Sequence, residues 1–129
     1  MSNVSDSETT RAANFIKKGI EIARDRVREE RIGGKWLTLI GQNTFIACAS
    51  GFLLIGAIGD TRQAYYLLRK ELPGTRFFED YRDAISKLTG LSKKLVTQIS
   101  RAHFQGKLSA KTIVEKLKTN PEKFLATAY

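Results

Sequence analysis

Trp36-Leu37-Thr38-Leu39-Ile40-Gly41-Gln42-Asn43-Thr44-Phe45-Ile46-Ala47-Cys48-Ala49-Ser50-Gly51-Phe52-Leu53-Leu54-Ile55-Gly56-Ala57-Ile58-Gly59 is the longest stretch of the chain without a charged side chain. Lys35 precedes it, and Asp60 and Arg62 follow. Its 24 residues exceed the roughly 20 that a helix needs to cross a hydrocarbon core. Residues 45–58 are strongly apolar and rich in small residues, and Ala47 and Gly51 stand at the four-residue step that lets helix backbones approach closely in lipid. Trp36 at one end and Tyr65-Tyr66 beyond the other suit interfacial anchoring. The first expectation is therefore a membrane span carried by Trp36, Phe45, Ala47, Gly51, Leu54 and Gly56. Gln42-Asn43 opposes it. The alternative is a buried core segment, with residues 36–40 and 44–49 as two short strands around Gly41-Gln42-Asn43 and residues 52–58 as a third, because short apolar runs fit buried strand and buried helix equally well.

On the N-terminal side, Ser5 and Glu8 have capping-box spacing and Gly33-Gly34 reads as a stop, so a helix is expected from about residue 7 to residue 32. Ala12, Ile16, Ile20, Ala23 and Val27 form its apolar stripe. Lys17, Lys18, Arg24, Arg26, Arg28 and Arg31, interleaved with Glu21, Asp25, Glu29 and Glu30, read as a solvated face. On the C-terminal side Asp60 can cap a helix that Pro73-Gly74 ends. As units the chain divides into a flexible N-terminus (1–10), an amphipathic helix (11–35), the apolar segment (36–59), a connecting helix (60–74) and a basic helical region (75–129). The expected fold class is all-α: an amphipathic helix, one hydrophobic helix, then a bundle of short basic helices.

The composition narrows the partner. A chain of 129 residues with 22 Lys and Arg against 13 Asp and Glu carries +9, which favours acidic partners such as nucleic acid or anionic lipid. Residues 75–129 hold 11 cations and 5 acids, whereas residues 1–35 hold 8 and 6. Cys48 is the only cysteine and His103 the only histidine, which excludes an internal disulfide, a CxxC redox pair and any thiolate or two-histidine zinc cage within one chain. No GxSxG, HExxH or P-loop pattern is present, and Gly56 and Gly59 lack the third glycine of a dinucleotide-binding turn. Asp80 and Asp83 beside Arg76 and Arg82 read as surface ion pairs. No catalytic residue, metal ligand or cofactor site is expected.

In the basic region Phe77, Phe78, Tyr81, Ala84, Ile85 and Leu88 form one helical stripe, and Leu95, Val96, Ile99 and Ala102 form a second behind a Ser92 cap. Thr89-Gly90-Leu91 joins them. Residues 85–99, through Gly90, Leu91-Ser92 and Val96, resemble the helix-turn-helix of lac-repressor-type regulators, although Ser86 stands where that family prefers alanine. The resemblance covers only this short segment. It implies that Lys93, Lys94, Thr97, Gln98 and Arg101 face double-stranded DNA, with Gln98 reading an adenine edge and the cations meeting phosphates.

Two functions lead the expectations, ahead of a third, a soluble helical adaptor that binds only protein. One is a non-enzymatic single-span membrane protein, an accessory or scaffold subunit that packs against protein subunits of a membrane complex or against its own copies, with anionic lipid nearby. It would sit in an inner-membrane type of bilayer with its polar parts on the reducing side. The other is a cytoplasmic DNA- or RNA-binding regulator using residues 86–101.

Overall fold

The computed structural model describes residues 4–31 and 36–129. Helix α1 (Asp6–Ala23) starts at Ser5, whose Oγ accepts the Glu8 amide at 3.2 Å, and it carries Asp6 and Glu8 in its first turn, where acids favour the helix dipole. It ends nine residues earlier than the periodicity suggests. Arg24 takes a positive φ of 47°, a 3-10 turn follows over Arg24–Arg26, and Val27–Glu29 forms strand β1. The expected helix to residue 32 is thus corrected: Val27 is buried as part of a strand, and sheet hydrogen bonds replace the last two helical turns. The expected Gly33-Gly34 stop lies outside the described residues.

Strands β2 (Leu37–Leu39) and β3 (Phe45–Ala47) pair antiparallel, with Leu37 opposite Ala47 and Leu39 opposite Phe45. Strand β1 runs parallel to β3 on its other side, giving the order β1-β3-β2. Residues 40–44 close the β2–β3 hairpin, with the Ile40 amide donating to the Thr44 carbonyl at 2.8 Å. Gln42 and Asn43 belong to that turn, which is why two polar residues interrupt the apolar run.

Helix α2 (Ala49–Ile58) follows directly, and all eight residues from Ala49 to Gly56 are buried. A helix that is apolar all round needs an apolar sheath. Here the sheath is protein: α1, α3 (Thr61–Glu71), α4 (Phe78–Thr89), α5 (Lys93–Phe104) and α6 (Ala110–Thr119) all pack on it. The single hydrophobic helix over residues 36–59 is therefore corrected to two strands and a ten-residue helix about 15 Å long, half the roughly 30 Å of a hydrocarbon core. Among the described residues no helix is long and apolar enough to cross a membrane. The architecture is mostly helical with a small three-stranded sheet. Of the three strands in the alternative reading, the first two form and the third is helical.

Small residues set how closely α1 and α2 cross. A Cβ on Gly56 would stand 1.7 Å from the Phe15 carbonyl oxygen, and one on Gly19 would stand 1.9 Å from that of Phe52. The two backbones touch at this crossing. Farther along the chain, Asp60 caps α3 through the Gln63 amide (2.8 Å), Ser92 caps α5 through Leu95 (3.2 Å), and Ser109 caps α6 through Thr112 (3.1 Å). Gly90 ends α4 at φ 75°, where a left-handed residue is needed. Helix α7 (Pro121–Ala126) begins on a proline, which suits a first turn.

Candidate functional site

The residues singled out for a membrane span sit inside the protein. Trp36, Phe45, Ala47 and Leu54 are core residues, with Ala47 and Leu54 fully buried. Gly51 lies against the Trp36 carbonyl and Gly56 against that of Phe15, so the small residues serve close packing within the chain.

The helix-turn-helix resemblance meets a mixed geometry. Helices α4 and α5 are joined through Gly90 as expected, and Ile85, Leu95, Val96, Ile99 and Ala102 are buried beneath them. Lys94 and Arg101 are exposed, Thr97 is half-buried, and Lys93 is exposed with its Nζ 3.5 Å from Asp83. Gln98, the residue expected to read a base, is spent elsewhere. Its Nε2 donates to the carbonyls of Phe124 (2.8 Å) and Thr127 (2.6 Å), so it holds the end of α7. The start of α5 is also occupied, because the Glu8 carboxylate accepts the Ser92 amide. An acid where a phosphate would dock opposes the expected placement.

A second polar cluster was not legible in the sequence. Glu29 ends β1, and its Oε2 lies 2.8 Å from Nε2 of His103 in the last turn of α5; the same oxygen accepts the Ala110 amide at 2.9 Å. His103 is completely buried, whereas the Glu29 side chain keeps 31% of its surface. Burial works to raise the Glu29 carboxyl, but hydrogen bonds from His103 and the Ala110 amide, with the attraction of His103 and Arg31, outweigh it and hold the group below its ordinary value of 4.5. The carboxylate thus ties the sheet to α5 and supplies negative charge at the start of α6. Among the described residues His103 Nδ1 has no hydrogen-bond partner. A surface cavity of about 480 Å³ adjoins the cluster; the described residues lining it are Glu29, Glu30, Arg31 and Ser109, so His103 stands behind the carboxylate.

Cys48 and a serine pair complete the polar interior. Burial pushes the Cys48 thiol up to about 11 against the pull of the Gly51 and Ser50 amides, so at neutral pH it is a thiol without nucleophilic activation. Ser50 of α2 and Ser100 of α5 share a buried hydrogen bond of 2.6 Å. Among the described residues no three His, Cys, Asp or Glu side chains are grouped to hold a metal ion.

The surface carries one further constellation. Ile40, Tyr66, Phe77, Phe78 and Phe104 are the exposed large apolar residues among those described, and the first four belong to, or directly adjoin, β2, α3 and α4, of which α3 contacts both others. There the Arg62 guanidinium donates to the Gln42 carbonyl (2.7 Å) and to Asn43 Oδ1 (2.6 Å), pinning the hairpin turn to α3. Arg62 also lies over the Phe45 ring; Phe45 meets Tyr65 edge-on, Tyr65 meets Tyr66, and Arg69 lies over Tyr65. Just before β2, Trp36 contacts both Phe78 (5.2 Å, tilted) and Tyr81 (5.2 Å, stacked). The aromatic stripe that the sequence placed on α4 is therefore buried only in part. Phe77 and Phe78 face outward at 63% and 39% exposure, whereas Ala84 and Ile85 are buried.

No family model matches this chain, and no curated protein or solved structure does.

Proposed function

We propose that the chain is a non-enzymatic protein-binding module, an accessory or scaffold subunit, that meets its partner through the edge carrying Ile40, Tyr66, Phe77 and Phe78. The observation that carries this reading is that four of the five exposed large apolar side chains among the described residues belong to, or adjoin, β2, α3 and α4, with Tyr66 next to the Tyr65 ring that Arg69 covers. Aromatic residues and arginine are the anchors of protein interfaces, since they bury large rigid surfaces at small entropic cost. Local charge points the same way. Residues 60–80 hold four cations and four acids on a chain of net +9, so this edge has no excess field for a polyanion and suits a protein surface of mixed charge. Association with a membrane complex, if the subunit serves one, would run through that protein contact.

Substitution of Tyr66 and Phe77 by serine tests the proposal. Both residues are exposed, so the double variant should keep its melting temperature within a few degrees, while a partner that copurifies in stoichiometric amount with the native chain should be lost. Retention of the same partner at the same stoichiometry by the folded variant would refute the assignment of this edge.

A further inference from the structure

Residues 93–123 hold eight Lys and Arg against two acids, a net +6 of the chain's +9. They form α5, α6 and α7, which pack on one another in chain order. Arg101 and Phe104 are exposed three residues apart at the end of α5, and Lys94 is exposed at its start, on the far side of Gln98, which is bonded to the end of α7. On α6 Lys111 and Lys118 are exposed, with the exposed acid Glu115 between them on the same stripe. Lys107 joins the two helices, and its carbonyl accepts Arg31 at 3.4 Å, which brings one more cation to that end. Among the described residues, only Lys93 of the eight cations has an acidic partner within 4 Å. Glu8 and Glu29 are spent on the amides of Ser92 and Ala110, whereas Asp6 and Glu122 line a surface pocket together with Lys94. Phe104, the fifth exposed large apolar residue among those described, is 49% exposed at the end of α5.

We propose that the junction of α5 and α6 binds single-stranded nucleic acid without sequence preference, with Arg101, Lys107 and Lys111 meeting phosphates and Phe104 stacking on a base. Unpaired cations supply the sequence-independent, salt-dependent part of such binding, and an exposed aromatic ring among them supplies a stacking platform open to any base. The occupied Gln98 amide removes the side chain that would have read a base edge in duplex DNA, and Glu8 fills the helix start that would have entered a major groove. The proposal uses residues distinct from those of the protein-binding edge and stands or falls independently of it.

The test uses the full chain and a fluorescein-labelled mixed-sequence 20-nucleotide single strand, its duplex form, and vesicles of phosphatidylcholine and phosphatidylserine. Anisotropy titrations over a range of salt should show binding of the single strand that weakens with a linear log-log slope. Lys107→Glu with Lys111→Glu should lower that slope by about 1.4, roughly 0.7 for each lost phosphate contact. Phe104→Ala should weaken the single strand roughly tenfold and leave the duplex almost unchanged. Lys70→Glu, an exposed change on α3, should alter neither; all four positions are on the surface, so thermal melts should show folded proteins. Absence of binding at low salt overturns the proposal. So does equal binding to single strand and duplex, preferential binding to vesicles, or a loss with Lys70→Glu as large as with the α5–α6 variants, which would reduce the effect to net charge.

Discussion

Gly56→Ala isolates the feature on which the core depends. The added methyl would lie 1.7 Å from the Phe15 carbonyl oxygen, 2.5 Å from its carbonyl carbon and 2.9 Å from the Gly19 nitrogen. Carbon and oxygen in close contact stand about 3.3 Å apart, so the helices must open by about 1.5 Å. Every atom in the way is backbone, so no rotamer change can make room. A gap of about 0.5–1 Å already forfeits a quarter to a half of the dispersion energy across a seam, and α1 brings Ala12, Ala13, Ile16 and Ala23 to this packed core, all essentially inaccessible. Overpacking costs about 1–3 kcal/mol where side chains can shift, and the rigid case belongs at or above the upper end. The helical preference of alanine over glycine returns about 1 kcal/mol at most. The net expectation is a loss of about 2–3 kcal/mol, a large share of a total near 5–15 kcal/mol. Urea unfolding followed by far-ultraviolet circular dichroism reads it, with Gly74→Ala as control, since nothing lies within 4 Å of a Cβ there. The two arguments differ in sign: a Gly56→Ala variant as stable as the native chain, or more stable, would show that the α1–α2 crossing is not the close contact described.

Four further outcomes are expected. Glu29→Leu orphans the His103 and Ala110 donors and should cost about 2 kcal/mol at neutral pH by the same assay. Because the Glu29 carboxyl is held below its ordinary 4.5 in the folded protein, its contribution is complete above that value and is lost as pH falls through the lower folded value; the Glu29→Leu variant should therefore show a shallower loss of stability below pH 4.5 than the native chain. Ser50→Ala should destabilise by about 1–3 kcal/mol because it strands the buried Ser100 hydroxyl, whereas Ser50→Ala with Ser100→Ala should recover much of that loss in a double-mutant cycle. Cys48, with its thiol pushed up to about 11, should react with iodoacetamide at pH 7.5 far more slowly in the folded protein than in urea, as mass spectrometry will show.

Local signals in the sequence located most helix starts. Ser5, Asp60 and Ser92 cap the helices they were expected to cap, because a side-chain oxygen satisfies an amide two or three residues away and needs no tertiary partner. Gly90 and Pro73-Gly74 mark real boundaries for the same local reason. The end of α1 was not readable this way. Ala23 and Val27 continue the helical stripe, and only the pairing of Val27 with Phe45 in β3, 18 residues distant, decides for strand. Glu8, Glu29 and Gln98 escaped a linear reading for a related reason: each satisfies a backbone group, or in the case of Glu29 also an imidazole, 26 to 84 residues away. As isolated letters, such residues look like any solvated polar residue.

The uncharged run shows why composition alone could not choose between a lipid sheath and a protein one. A helix surrounded by apolar groups needs the same residues in both settings, and close helix crossings need glycine in both. What separates them is length and surroundings. Residues 49–58 make one ten-residue helix because Gly41-Gln42-Asn43 turns the preceding apolar residues back as a hairpin, and Arg62 holds that turn by two hydrogen bonds. The surroundings were present in the sequence as separate amphipathic stripes, on α1, α4 and α5, each with one apolar face to bury. One short helix without a polar face, set among several that each have one, forms a layered core in which every apolar face is covered. Leu54→Arg places the two readings in direct opposition: Leu54 is wholly enclosed by protein, so the substitution strands an unpaired charge in the core and should abolish the cooperative unfolding transition. A folded Leu54→Arg protein with a normal melting curve would show that α2 is not the centre of the fold.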